Sequence, residues 1–252
     1  MTTNLLFGTN VEALGATTYS ASSEAAGYNV EDLFTCGRGE HWKPVSACDE
    51  HMMGYRNADT EVNYLAVIDA VYHVLGGTAP EFELKHSSND ADWTAWKDTG
   101  SLSSSDLAGP NDKDYIYYNA TSATDEYWRL YMVDSAASTP EVGKVFFGKA
   151  LDIGRDPSTV EIKVIRENQA LKKPIHEIRL GYKDISYANT KTFLDEVGEI
   201  SDYHPIVVFT ATNHQVLLNN KVMLCRIRPG SLNTPQEITA RNNISFVLEE
   251  LI

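Results

Sequence analysis

Two apolar segments joined by a loop of small residues occupy the middle of the chain. Residues 127–133 (YWRLYMV) are aromatic or aliphatic except for Arg129, and a second apolar segment ends near residue 148. Side chains alternate between the two faces of a strand, so a segment that is apolar on both faces is typical of a central strand in a packed sheet. The pattern therefore predicts two strands that close the first half of the molecule.

The remainder of the first half also favours strands. Phe82, Leu84 and His86 alternate with charged residues, as in a half-buried strand. Residues 64–75 leave two interpretations open, because their apolar positions fit one face of a helix while their Val and Ile content fits a buried strand. A polar loop over residues 98–113 follows, and no helix longer than about three turns is required in this half.

The second half alternates between apolar and polar positions over several short segments, and it contains one helical segment. The helix is expected to be capped by Asn189 or Thr190, to carry Phe193, Leu194 and Val197, and to stop at Gly198. We place a domain boundary near residues 148–154, with residues 1–150 before it and a smaller β-rich α+β module, residues 151–252, after it. The predicted strands of this module cover residues 160–164, 176–180, 206–210, 222–227 and 244–248.

Charge and composition exclude several classes of function. The chain has 252 residues and a formal net charge of −14, which argues against binding to DNA, RNA or anionic lipid, since each depends on Lys and Arg. No apolar segment reaches the length of a membrane span, and no secretory signal opens the sequence, so we expect synthesis and retention in the cytoplasm of the producing cell. Three cysteines are expected to be free thiols.

Two groups of residues could bind metal ions. Cys36, His41, Cys48 and His51 are residue types that zinc accepts, but their spacing is not that of a standard zinc finger, and loop residues with a buried thiol are the alternative. The side chains of Asn89, Asp90 and Asp92 could supply oxygen ligands to calcium, and a polar hairpin turn explains the same three residues. We predict no cofactor and assign no metal site.

The first half resembles the galactose-binding-like β-sandwich (discoidin-type jelly roll) as it occurs in phage virion proteins. The resemblance is an ordered series of short motifs, two of which depart from the family pattern: Val74 stands where the family has Asn, and Ala91 stands where it has Gly. It implies a jelly-roll sandwich over residues 1–150. The motifs are residues 4–6, 20–23, 27–33, Trp42, 64–68, 73–75, 84–93, 127–130 and 142–148.

The second half resembles the module that follows this sandwich in tail-tip and baseplate proteins of tailed phages. That module ends in a strand of the type F-x-L-E-E, here residues 246–250. The resemblance implies a structural, non-enzymatic virion protein located in the phage tail. Its partners would be other tail proteins and copies of itself arranged in a ring, because virion parts repeat one subunit around an axis.

The resemblance also implies an alternative function, because cellular relatives of the sandwich bind glycans at its end. Aromatic rings stack on sugars, and Arg can hydrogen-bond to sugar hydroxyls. A host glycan is then the ligand, although tryptophans in a β-sandwich also serve as core residues. The candidate glycan-binding residues are Trp42, His86, Trp93, Trp96 and Arg129.

Catalytic motifs are absent from the sequence. It contains no G-x-S-x-G nucleophile elbow, no phosphate-binding G-x-x-x-x-G-K-[ST] loop and no H-E-x-x-H helix. Glu61 follows Thr60, and Asp195 with Glu196 forms an adjacent acidic pair, but both are expected on surface turns rather than as a positioned pair for hydrolysis. We therefore assign no catalytic residues and do not expect an enzyme.

Overall fold

The structure, a computed structural model, is mainly β, and this confirms the predicted fold class. It contains two sheets, one in each of two units, and one short α-helix in its described part. Within the described ranges, every helix is too short or too polar to cross a lipid bilayer. The described residues are 5–9, 18–23, 25–33, 42–43, 45, 50–71, 81–98, 115–133, 141–168, 173–198, 204–210, 222–234 and 241–251.

The regular elements of this part are thirteen strands, one α-helix, one 3-10 helix and one π-helical turn. The α-helix α1 is Tyr187–Phe193, the 3-10 helix is Val30–Leu33 and the π-helical turn is Leu194–Gly198. The strands are β1 Leu5–Thr9, β2 Thr18–Ala21, β3 Glu50–Val71, β4 Glu81–Ser87, β5 Thr94–Asp98, β6 Tyr115–Val133, β7 Glu141–Gly148, β8 Ala150–Asp152, β9 Thr159–Asn168, β10 Lys173–Ser186, β11 Ile206–Thr210, β12 Val222–Ile227 and β13 Arg241–Glu250.

The unit Val11–Lys149 is built around two long antiparallel strands, β3 and β6. Its sheet has the order β2-β3-β6-β4-β5, and β7 also pairs with β3. The pairing of β3 with β6 shifts register after Arg56 and again after Val62. Such irregularities bend long strands. The first part of β3 therefore pairs with β2, while the part from Tyr64 onward pairs with β7.

Of residues 64–75, whose sequence fits both a helix and a strand, residues 64–71 are the end of β3 and residues 72–75 lie outside the described part. Both neighbours, β6 and β7, hydrogen-bond to this segment, and residues 64–68 are fully buried. A segment that lies between two strands and is buried on both faces needs apolar residues at consecutive positions, which is why its periodicity was ambiguous. Trp42 forms a bridge with Val142 and lies at 0% exposure in the core of this unit.

The second unit combines Met1–Asn10 with Ala150–Ile252. Its seven strands follow the order β8-β1-β11-β12-β13-β10-β9, so β1 lies between β8 and β11. The predicted division assigned β1 to the domain of residues 1–150. The structure instead places β1 in the other unit, because Leu5 and Phe7 belong to its hydrophobic core. Cys225 is a buried cysteine in this core, and Cys36 and Cys48 lie outside the described residues.

The N-cap of helix α1 lies three to four residues before the predicted cap, Asn189 or Thr190. Ser186 is its N-cap, and the Ser186 hydroxyl accepts a hydrogen bond from the backbone N–H of Asn189 at 3.1 Å. The helix passes into the π-helical turn, which ends at Gly198, the predicted stop. Phe193 and Val197 are buried in the core of this unit. The predicted loop over residues 98–113 lies outside the described residues except for Asp98, the last residue of β5.

Candidate functional site

The hairpin β4–β5 and the adjacent strand β6 position the candidate site. Lys85 lies opposite Arg129, and Glu83 lies opposite Tyr131, in the pairing of β4 with β6. Leu84 and Leu130, opposite each other on the same strands, are buried in the core. Since side chains alternate along a strand, the Lys85 and Arg129 side chains project from the outer face of the sheet.

Trp93, Arg129 and Asp90 form a stack on this outer face. The Arg129 guanidinium carbon lies 4.0 Å from the centre of the Trp93 ring, within the range of a cation–π contact. Its Nη2 atom donates to the Asp90 carboxylate at 2.7 Å. The two contacts fix the orientation of the guanidinium plane.

The neighbouring side chains extend the stack along the strands. The Lys85 ammonium lies 4.5 Å from the centre of the Tyr131 ring and 2.9 Å from the Glu83 carboxylate. We call the whole set the outer-face cluster. Its members are Glu83, Lys85, Asp90, Trp93, Arg129 and Tyr131.

The turn between β4 and β5 holds Asp90 and Trp93 in place. The Asn89 side-chain oxygen accepts from the backbone N–H groups of Ala91 and Asp92, and the Asn89 amide donates to the Asp92 carboxylate at 2.9 Å. Asp90 has φ of 58°, a conformation that Asp tolerates in turns. These contacts are those of the polar hairpin turn, the alternative to the calcium site.

His86 lies on the other face of the same strand. It is opposite Trp128, and the two rings stack with centres 5.3 Å apart. The His86 Nδ1 atom also pairs with the Asp125 carboxylate. His86 and Arg129, which the sequence grouped in one glycan site, therefore project to opposite sides of the sheet.

The four tryptophans, all within the described ranges, occupy different environments. Trp42 and Trp128 are buried in the core, and the Trp42 indole N–H donates to the Ser23 carbonyl at 3.2 Å. Trp96 packs partly buried against this core and meets Tyr117 edge to face at 5.3 Å. Trp93 is outside the core and half-buried on the surface. Of the five predicted glycan residues, the structure brings together Trp93 and Arg129.

Four members of the outer-face cluster were not identified from the sequence as glycan-binding residues. Glu83, Lys85 and Tyr131 join the cluster because strand register places them beside Arg129. Asp90 joins it because the turn directs its carboxylate to Arg129. The alternation of charged residues on β4 is a sequence signal for an outer face, but the identity of the facing strand is not encoded locally.

The remaining candidates from the sequence are the zinc array and the acidic residues considered for hydrolysis. Cys36, His41 and Cys48 lie outside the described residues, as does the side chain of His51, so the zinc array stays a hypothesis. The described residues contain no group of three or more potential metal ligands. Glu61 pairs with Lys149 at 3.3 Å, and Asp195 pairs with Lys191, one helical turn away.

Comparisons with known proteins give matches among solved structures. A scan against protein-family models finds no match, and a search of curated proteins finds none either. The chain is similar to chitosan-binding module 1 of a chitosanase/glucanase from Paenibacillus sp. IK-5, with 14% identity, a TM-score of 0.41, and coverage of 52% of this chain and 93% of that chain.

Two further matches come from Clostridium perfringens. CpGH89CBM32-6 is 12% identical with a TM-score of 0.43, covering 56% of this chain and 99% of that chain. The family 32 carbohydrate-binding module of NanJ, solved in complex with galactose, is 11% identical with a TM-score of 0.43, covering 56% of this chain and 98% of that chain. Similarities this low carry no argument about the function of this chain.

Proposed function

We propose that this protein binds carbohydrate through the outer-face cluster. The observation that carries the proposal is the placement of Trp93. Among the four tryptophans it alone lies outside the core, on the sheet surface, in contact with a guanidinium that Asp90 orients. A half-buried surface indole beside an oriented cation offers an aromatic ring and N–H donors at one place.

The chemistry of the cluster suits a sugar. The apolar face of a pyranose ring can stack on an indole, and sugar hydroxyls both donate and accept hydrogen bonds. The Arg129 guanidinium has further N–H donors besides the one that Asp90 accepts, and Tyr131 contributes a phenolic hydroxyl. The existing contacts orient these groups before a ligand arrives, which lowers the entropy lost on binding.

The charges favour a neutral sugar. The cluster contains two cations, Lys85 and Arg129, and two anions, Glu83 and Asp90, so its formal charges cancel. The chain as a whole carries −14, which disfavours the approach of an anionic polysaccharide. We therefore expect neutral glycans to bind and salt to have little effect on the affinity.

A glycan array followed by calorimetry with the best neutral sugar tests the proposal. The Trp93→Ala variant is expected to weaken binding about tenfold or more, as is typical when an aromatic residue at the centre of a site is truncated. Tyr187→Ala is the matched control, because Tyr187 is an exposed aromatic residue, 56% accessible, in the other unit. No binding to any neutral glycan, or equal losses in the two variants, would contradict the proposal.

A second candidate function is that of a structural subunit in the tail tip or baseplate of a tailed phage. The resemblance of both halves to such proteins suggests it. The exposed aliphatic residues Ile162, Val164 and Ile165 of β9 favour it as well, because a surface of this kind suits contact with another subunit. In this role the protein would be a component of the virion tail and would catalyse no reaction.

Antibody labelling of phage particles in electron micrographs distinguishes the two functions. Labelling at the tail end, with co-purification of other tail proteins and no glycan binding, is the result expected of a structural subunit. Absence of the protein from purified particles would exclude that role while leaving the glycan proposal in place.

A further inference from the structure

Strand β9 is an edge strand with an unusual number of exposed aliphatic residues. It ends the seven-stranded sheet, and β10 is its one strand neighbour in the part of the chain that the structure describes. Ile162, Val164 and Ile165 are 45%, 59% and 48% exposed. They are three of the five large exposed hydrophobic residues in the described ranges. An exposed apolar edge of this kind can hydrogen-bond to a strand from another chain.

We propose that β9 pairs antiparallel with β9 of a second copy of this chain, about a twofold axis that lies midway between the two Ile162 residues. An axis perpendicular to the sheet leaves each side chain on its own face. Ile162 then lies opposite its counterpart in the second copy, and Val160 lies opposite the partner's Val164. Glu161 lies opposite the partner's Lys163, and by symmetry Lys163 lies opposite the partner's Glu161.

Charge complementarity selects this register and a second copy as the partner. Glu161 and Lys163 are both exposed, and opposite charges across strands stabilise a pair. An axis at Glu161 or at Lys163 would place two like charges opposite each other. An axis at Val164 would place Glu161 opposite the partner's Glu167. Among these four positions, the axis at Ile162 is the one that places Glu161 opposite Lys163 and no two like charges opposite each other.

The same alternation already exists within the chain. Arg179 of β10 lies opposite Glu161, and Glu177 lies opposite Lys163. On the other face, Ile178 lies opposite Ile162, and Leu180 lies opposite Val160. Pairing of two β9 strands would therefore continue one alternating row of charges and one aliphatic row across both copies. This inference depends on neither of the two proposed functions.

Sedimentation of the full chain with two charge-reversal variants tests the pairing. The natural protein is expected to self-associate reversibly at concentrations up to about 1 mM, a range that covers the weak affinities of small interfaces. Glu161→Lys and Lys163→Glu should each weaken self-association about tenfold or more, because each variant places like charges opposite each other. An equimolar mixture of the two variants should associate again, since one copy then presents two lysines to two glutamates.

The control is Lys183→Glu, which makes the same charge change at an exposed position on β10. It should leave self-association unchanged, and circular dichroism should show all variants folded. Three results would overturn the proposal: a natural protein that stays monomeric throughout, association that neither reversal weakens, or a mixture that does not restore it. A mixture that does not restore association would reject the register centred on Ile162.

Discussion

Glu177 and Glu249 lie directly opposite each other on β10 and β13, which places two carboxylates side by side. Arg228 offsets the repulsion between the two carboxylates. Its Nε donates to Glu249 at 2.7 Å, and its Nη2 donates to Glu177. Arg179 and Arg226 each pair with one of the two carboxylates, at 3.1 and 3.0 Å. The hydrogen bond from Arg228 is the main cause that holds the pKa of Glu177 below its ordinary value, and it is also the main cause for Glu249.

The network predicts a pH-dependent effect of Arg228→Gln. A carboxylate whose folded pKa is depressed contributes stability above its unfolded pKa, near 4.5, and loses that contribution as pH falls through the folded value. The variant should therefore melt below the natural protein at neutral pH, and the difference in melting temperature should narrow as pH falls from about 5 to about 2. Thermal unfolding of both proteins across this pH range measures the difference in melting temperature.

Lys183→Gln serves as the control for that series, because Lys183 is exposed on the same strand as Glu177. Its difference from the natural protein should stay constant with pH. A constant difference for Arg228→Gln as well would mean that the carboxylates are not stabilised in their charged form by Arg228.

Residue type alone identified part of the candidate site. The sequence pointed to Trp93 and Arg129, because aromatic and guanidinium groups are the chemistry that sugars require. Residue type alone does not separate Trp93 from Trp42, since both lie in polar stretches of sequence, yet Trp93 is half-buried at the surface and Trp42 is fully buried. Only strand pairing with remote residues, such as the bridge from Trp42 to Val142, decides which ring reaches solvent.

At the scale of elements, helix α1 shows how local chemistry sets a boundary. Ser186 is the last residue of β10 and also the helix N-cap, so the strand passes into the helix without a loop. The sequence predicted the helix and its end at Gly198, but it placed the start at Asn189 or Thr190, which are also capping types. Three capping residues occur within five positions, and the pairing of Ser186 with Arg241 on β13 selects the first.

Removal of this cap should destabilise the unit that contains the helix. Ser186→Ala is expected to lower its free energy of unfolding by about 1 kcal/mol, because the Asn189 N–H loses its acceptor. Ser186→Asp retains a capping oxygen and should restore most of the loss. Urea unfolding of the three proteins measures the effect. Equal stability of the Ala and natural proteins would show that the hydroxyl does not contribute as a cap.

At the scale of the whole molecule, β1 joins a unit whose other residues begin at position 150. Phe7 lies opposite Val208 of β11 on one side and Leu151 of β8 on the other. The sequence predicted the boundary near residue 150 from the change in pattern between the two halves. It could not predict where β1 pairs, because a short segment such as LLFGT fits any buried strand, and the partners are about 150 and 200 residues away.

The position of β1 predicts that a substitution near the N-terminus destabilises the C-terminal part of the chain. Phe7 is fully buried, and its ring lies 5.4 Å from that of Phe193 and 5.7 Å from that of Phe246. Phe7→Ala should therefore cost the second unit about 3 to 5 kcal/mol. Hydrogen exchange measured by mass spectrometry should show faster exchange in residues 150–252 and unchanged exchange in residues 11–149. Val145→Ala, in the core of the other unit, should produce the opposite pattern. Faster exchange confined to residues 11–149 in Phe7→Ala would place β1 with the first half, as the sequence-based division had it.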